Sequence, residues 1–281
     1  MTDVFSTIKG TKYLKDPVCV LLAATSMVDG DDVAPHLLDL HPDFAEGVND
    51  IYDEELPVTD PDRLTQMAGQ FCYLAFGKKR TPLSENEHYV RHILESGHGS
   101  VLEHSNFTVL FLGIDRATTH ELVRHRAGCA YSQVSQRFVG PEMLRFVMPW
   151  EDRLTSELTG PFHEDIDHNR WQFARRIEQL KEVTPQREGE GNTDWRKRIQ
   201  SSARSVLGNY VEAGIIFTGN ARAWRHIFSM RGSKFADVRI RRPFVEAFKI
   251  IAPVAPALFQ DFELTSMPDG TEGLTPKFPK V

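Results

Sequence analysis

Glu121-Leu-Val-Arg-His-Arg-Ala-Gly-Cys-Ala-Tyr-Ser-Gln-Val-Ser-Gln-Arg137 is the densest signal in the chain. Asp115 can cap a helix that leads into it, with Leu122 and Val123 turned inward and an end near Gly128. On such a helix Arg124 and Arg126 are two residues apart and point to different sides. The pair can then serve two ligands, or one ligand and a neighbouring subunit. Ser135 and Arg137 fall beyond Gly128, in a loop or extended segment, where a hydroxyl and a guanidinium suit phosphate oxygens. A solvated basic helix end that complements the helix dipole fits the same residues. Spacing alone leaves the two readings open.

Upstream, Phe107-Thr-Val-Leu-Phe111 alternates as a strand does. Ser84-Glu-Asn-Glu87 reads as a capping box for a helix with Val90, Ile93 and Leu94 on one face and Gly97 as its stop. Asp60-Pro61 opens another helix, with Asp as cap and Pro in the first turn, predicted to run to about Phe76. Val18–Ala24 reads as a strand, and residues 28–58 as an acidic surface excursion with one helix near Pro35–Leu40. Downstream, 151–170 is polar and irregular. Helices are predicted at about 170–183, 194–210, 220–230 and 236–250, with a loop at 185–192 and a strand at 214–218. Residues 266–281 read as a mobile tail. The whole, 1–281, is expected to be a single catalytic domain. Without regular β-α-β alternation, the pattern favours an α+β fold, a mixed sheet with flanking helices. No G-x-G-x-x-G supports a Rossmann site.

The chain has 281 residues, 41% hydrophobic and 26% charged, with a net charge of −6. That balance argues against coating nucleic acid through bulk charge, although clustered arginines can still hold a small anion. No apolar run is long enough for a membrane helix, and no signal peptide is visible. Cys19, Cys72 and Cys129 have no paired spacing, which suggests reduced thiols in a cytoplasm.

Two further stretches carry polar groups. Gly97-His-Gly-Ser-Val-Leu-Glu-His104 could hydrogen-bond a ligand through His98, Ser100 and Glu103, or simply cap its neighbours. A metal is not expected there, because adjacent Glu and His rarely converge on one ion and no C-x-x-C completes a site. In Thr218-Gly-Asn-Ala-Arg-Ala-Trp-Arg-His-Ile-Phe-Ser-Met-Arg231, Asn220 caps a helix. Arg222 and His226 share one face of it, and Trp224, Ile227 and Phe228 form an apolar one.

Together the three stretches resemble the flavin-dependent thymidylate synthases, over roughly residues 68–250. The family's R-H-R, spacer, serine and arginine are matched by Arg124-His125-Arg126, Ser135 and Arg137. Its H-G-H-x-[ST]-x-x-E-H is matched by Gly97-His98-Gly99-Ser100 and Glu103-His104, with Ser96 in place of the first histidine. Asn220, Arg222, Arg231 and Arg204 match its later positions. The resemblance implies reductive methylation of deoxyuridine monophosphate (dUMP) to dTMP. Methylenetetrahydrofolate gives the carbon, and NADPH gives the hydride through FAD. It implies a homotetramer with active sites shared between subunits, and the composition adds the expectation of no membrane and no nucleic-acid partner. His98, Ser100, Glu103, Arg124, His125, Asn220, Arg222 and His226 are then expected at the flavin. Glu121, Arg126, Gln133, Ser135, Arg137, Arg204 and Arg231 are expected at the nucleotide, with Ser135 and Arg231 catalytic. No Pro-Cys-His motif of the cysteine-dependent thymidylate synthases is present.

The chain also departs from the family pattern. The spacer before Ser135 is one residue longer, Glu121 stands where glutamine is common and Gln133 where glutamate is. His226 replaces a frequent asparagine, Arg239 falls at a usually acidic position and Phe235 at a usual histidine. Residues 28–58 have no counterpart. The same scaffold acting as a hydroxymethylase or on another pyrimidine nucleotide, or as an inactive flavin- or nucleotide-binding protein, are the competing readings.

Overall fold

The computed structural model describes residues 3–40, 51–52, 57–75 and 85–280. Its strands are β1 (Val4–Ser6), β2 (Lys12–Leu14), β3 (Val18–Ala24), β4 (Asn106–Leu112), β5 (Cys129–Gln133), β6 (Arg145–Val147), β7 (Ile215–Asn220), β8 (Phe262–Ser266) and β9 (Glu272–Pro276). Its helices are α1 (Gly30–Leu40), α2 (Asp60–Cys72), α3 (Asn86–Ser96), α4 (Arg116–Leu122), α5 (Ser156–Val183), α6 (Asn192–Ala203), α7 (Ala221–Arg231) and α8 (Val238–Ile251). Four strands form a sheet in the order β3-β4-β7-β5. In a second sheet β2 pairs antiparallel with β1 and parallel with β6. The fold is α+β, as expected.

The chain divides into two compact units. The first comprises Met1–Val18, Phe111–Arg124 and Tyr131–Ile216; the second comprises Cys19–Leu110, His125–Ala130 and Phe217–Val281. In the first unit, Tyr13, Phe146, Phe162, Ile166, Phe173 and Ile199 close one apolar core. Helix α5 supplies much of it and runs 28 residues, well beyond the predicted start near 170. Gly160-Pro161 and the polar composition hide this helix in the sequence. Its buried Phe162, Ile166, Asn169, Phe173 and Ile177 nevertheless keep helical spacing. Asn169 is satisfied by donating to the Val206 carbonyl at 2.9 Å and accepting from the Gly208 amide at 3.2 Å.

The second unit packs around aromatic rings. Trp224 on α7 is fully buried, 4.6 Å from the Phe217 ring and 5.2 Å from that of Phe228. Its indole N–H donates to the Phe107 carbonyl at 3.1 Å. Phe228 also meets Phe248 and Phe259 edge-on. The hairpin β8-β9 lies in the stretch that includes the expected tail, and buried Leu274 fastens β9 in place.

Helix ends depart from the predictions in instructive ways. Thr59, not Asp60, is the N-cap of α2, and Asp60 instead accepts from the Met27 amide at 2.9 Å. Helix α2 stops at Cys72; Phe76 and Ser84 lie outside the described residues. Glu85 precedes α3 without a side-chain cap, and Gly97, at φ 70°, closes it. Asp115 does cap α4, accepting from the Thr118 amide at 2.8 Å. Helix α4 is a short one of seven residues, however, and ends at Leu122 rather than near Gly128. Arg124, His125 and Arg126 therefore lie in the turn after the helix, and the argument from helical faces does not apply to them. Helix α6 ends at Ala203, so Arg204 is its C-cap rather than an interior residue.

Candidate functional site

In the second unit three chain segments meet. The first is a 3-10 turn, Gly99–Glu103, whose Val101 and Leu102 are buried and whose Ser100 and Glu103 are exposed. The second is the stretch His125–Ala130, which leads into β5, and the third is α7. Asn220 organises the start of α7: its side chain accepts from the Ala223 amide at 2.8 Å, and its own amide donates to the Gly128 carbonyl at 3.0 Å. Gly128 has φ 68°, and a Cβ there would collide with the Asn220 side chain. Glycine at 128 is thus required both by backbone conformation and by close approach.

Once α7 is set, its exposed face carries Arg222 and His226, and Arg231 ends it. Arg222 donates to the Glu103 carboxylate at 2.6 Å. Arg231 Nε donates to His125 Nε2 at 3.1 Å, and the His125 and His226 rings stand edge to face at 5.5 Å. His125 must be neutral at Nε2 to accept that bond. Burial, the Arg231 charge and neighbouring His226 push its pKa down to about 4. His98 is exposed at the head of the 3-10 turn, and Arg126 is exposed two residues before Gly128.

The first unit holds the other candidates. Gln133, on β5, donates to the Thr119 hydroxyl of α4 at 3.1 Å. Thr119 was not singled out by the sequence, where it reads only as one of two consecutive helical threonines. Ser135 and Arg137 lie in the loop after β5, with Arg137 Nε 3.5 Å from the Ser135 hydroxyl. The Ser135 carbonyl accepts from the Phe138 amide at 3.0 Å, which turns the chain there. Glu121 is half-buried in the last turn of α4, and Arg124 is exposed just after it. Arg204 is exposed at the C-cap of α6. Among the described residues no hydrogen bond joins it to Ser135 or Arg137.

The profile of the family described as thymidylate synthase complementing protein matches residues 56–257. The chain belongs to that family. A flavin-dependent thymidylate synthase of Mycobacteroides abscessus is 40% identical over 217 residues, which cover 76% of this chain and 86% of the relative. One of Mycobacterium tuberculosis is 41% identical over 221 residues, with 77% and 87% covered. A crystal structure of the UMP/dUMP methylase PolB from Streptomyces cacaoi bound with 5-Br UMP has a similar fold. Its TM-score is 0.56 at 15% identity, over 88% of this chain and 93% of that one.

The family's motif residues thus fall into two sets. His98, Ser100, Glu103, His125, Arg126, Asn220, Arg222, His226 and Arg231 lie in the second unit, and Glu121, Arg124, Gln133, Ser135, Arg137 and Arg204 in the first. Among the described residues, no group of three or more His, Cys, Asp or Glu side chains is placed to hold a metal ion. None of the described helices is long and apolar enough to cross a membrane. The three cysteines form no disulfide. Cys19 donates to the Pro243 carbonyl at 3.3 Å, and burial with nearby Glu246 pushes its thiol up, away from thiolate. Cys129 donates to the Ala127 carbonyl at 3.2 Å.

Proposed function

We propose that this chain converts dUMP to dTMP, with methylenetetrahydrofolate as carbon donor and NADPH, through FAD, as the source of hydride. The observation that carries the reading is the Arg231–His125 bond, set on residues of the family's own motifs in a chain about 40% identical to flavin-dependent thymidylate synthases. The donor chemistry fits a flavin dinucleotide. Arg222 offers an exposed guanidinium near the start of α7, held in place by the Glu103 carboxylate. His98 and Ser100 add neutral hydrogen-bonding groups. Bound there, FAD supplies a hydride carrier that no amino-acid side chain can replace.

The chain's own residues have separable tasks. Glu103 orients Arg222. Asn220 spends its side-chain oxygen on the Ala223 amide, so its task is to fix the start of α7. Arg124 and His226 complete the flavin set. Ser135 and Arg137 hold the nucleotide phosphate, aided by Arg126 and Arg204, while Glu121 and Gln133 lie beside the nucleotide. Thr119 fixes Gln133. Neutral His125 holds the Arg231 guanidinium in one orientation. When a carbon is transferred to C5 of uracil, negative charge redistributes over the ring and its carbonyl oxygens. A fixed guanidinium at O2 or O4 stabilises that charge. No cysteine takes part. The working form is a homotetramer with active sites shared between subunits, in a cytoplasm.

Expression in a thymidine-requiring bacterium tests the reading. Growth without thymidine is the expected result. Failure to grow, with folded flavin-bound protein present in the cells, would overturn it.

A further inference from the structure

In the first unit, α5, α6 and the loop 137–143 border a cavity of about 780 Å³. Its floor includes buried Ile177 and Ile199. Around it stand five cationic side chains: Arg137, Arg175, Lys181, Arg196 and Lys197. Two carboxylates, Glu142 and Glu178, oppose them. Among the described residues only Lys181 of these five is held in an ion pair, with Glu178 at 2.8 Å. Such a local excess of positive charge runs against a chain whose net charge is −6.

Aromatic rings accompany the cations. Arg175 lies over the Trp171 ring at 5.2 Å, and Lys197 over the Phe138 ring at 5.4 Å. Trp171 and Phe138 are both about half exposed. The rings pre-position the cations without neutralising them. Trp195, by contrast, is fixed by donating to the Thr184 carbonyl at 2.8 Å.

Length narrows the ligand. From Trp171 to Lys181, helix α5 presents its side of the cavity over about 15 Å. A single phosphate engages one or two guanidinium groups. A strip this long instead suits an extended chain that repeats its carboxylates. We propose that this cavity binds an oligo-γ-glutamyl chain, the tail of the folate co-substrate, through Arg175, Arg196 and Lys197. The assignment rests on the folate-dependent reaction proposed above. The cavity reaches Arg137, so the tail lies next to a residue assigned to the nucleotide phosphate.

Two readouts test it. Trp171 and Trp195 border the cavity, so their fluorescence reports occupancy without flavin or turnover. A penta-γ-glutamate titrated into the protein should change that fluorescence saturably. The double variant Arg175→Ala/Lys197→Ala should weaken binding about fivefold to tenfold, as expected for two charge contacts at the surface. NADPH and inorganic phosphate, run as separate arms, should not displace the pentaglutamate. In steady-state assays the pentaglutamyl folate should show a lower KM than the monoglutamyl form. The double variant should remove that difference and leave kcat unchanged. Equal KM values for the two folates, with turnover intact, would overturn the assignment, and so would displacement by NADPH at comparable concentration. Loss of turnover with both folates, in wild-type protein that still binds the pentaglutamate, would instead overturn the reaction on which the assignment rests.

Discussion

Arg222, Arg231 and Asn220 in the second unit are each held by a short bond, whereas Arg137 and Arg204 in the first are held loosely or stand exposed. Arg222 is engaged by Glu103, Arg231 by His125, and Asn220 by the backbone of α7. In the loop of the first unit, the Ser135–Arg137 contact is long at 3.5 Å, and Arg204 stands exposed at a helix end. An arginine held by its own chain costs little to reorganise when charge develops in a transition state. An arginine that still has to be ordered is suited to a ligand whose charge is constant throughout the reaction, such as a phosphate. For the two arginines assigned to the nucleotide, the contrast therefore sets Arg231, which serves chemistry, apart from Arg137, which serves affinity.

Arg231→Ala breaks the bonded side of this contrast. It is expected to lower kcat about 100- to 1000-fold, the usual cost of one preorganised donor at a developing negative charge. Flavin content, checked by absorbance, should be retained. Arg137→Ala acts on the other side. The phosphate is equally charged in the ground and transition states, so KM for dUMP should rise about 10- to 100-fold while kcat changes little. A reversal of the two patterns in steady-state kinetics would invert the roles assigned here.

The state of His125 sharpens the comparison further. With its pKa pushed down to about 4, it stays neutral at physiological pH and accepts from Arg231. The unfolded chain binds a proton at His125 near the ordinary value of about 6.5, before the folded chain does. The stability that neutral His125 provides is thus present above about pH 6.5 and is lost as pH falls toward 4. NMR titration of the imidazole should show a midpoint near 4. In Arg231→Ala the midpoint should rise, because a neighbouring positive charge is gone, yet remain below the ordinary value because burial persists. An unchanged midpoint would show that the two groups do not interact.

Asn220→Ala has the smallest expected effect. It removes the α7 cap and should cost about 1 kcal/mol in chemical denaturation. Flavin binding should weaken only through the loosened start of α7. A loss of flavin much larger than the loss of stability would mean that Asn220 contacts the cofactor directly.

The second unit was the more legible in sequence because its determinants are local. Asn220 as cap, Gly97 as stop and the apolar face of Trp224, Ile227 and Phe228 can each be read from a few neighbouring residues. The same holds for β3, whose apolar run matches the strand. What sequence did not reveal depends on distant partners. The long α5 is carried through Gly160-Pro161 by packing of Phe162 and Ile166 in a core that no local pattern shows. The early end of α4 moves Arg124–Arg126 off the helix, which spacing alone could not indicate. The Arg231–His125 bond joins residues 106 positions apart. Its members were identified through family motifs, but their pairing was not visible. The arginines near 175 and 196 form separate clusters in the sequence, and that they border one cavity depends on α5 and α6 lying side by side.

The central claim is the reaction itself, and product analysis tests it most directly. Purified protein supplied with FAD, NADPH, dUMP and methylenetetrahydrofolate under anaerobic conditions should yield dTMP by chromatography and mass spectrometry. Replacing Cys19, Cys72 and Cys129 by serine should keep the rate within about tenfold. Formation of hydroxymethyl-dUMP as the end product, or no product from flavin-loaded protein, would contradict the account.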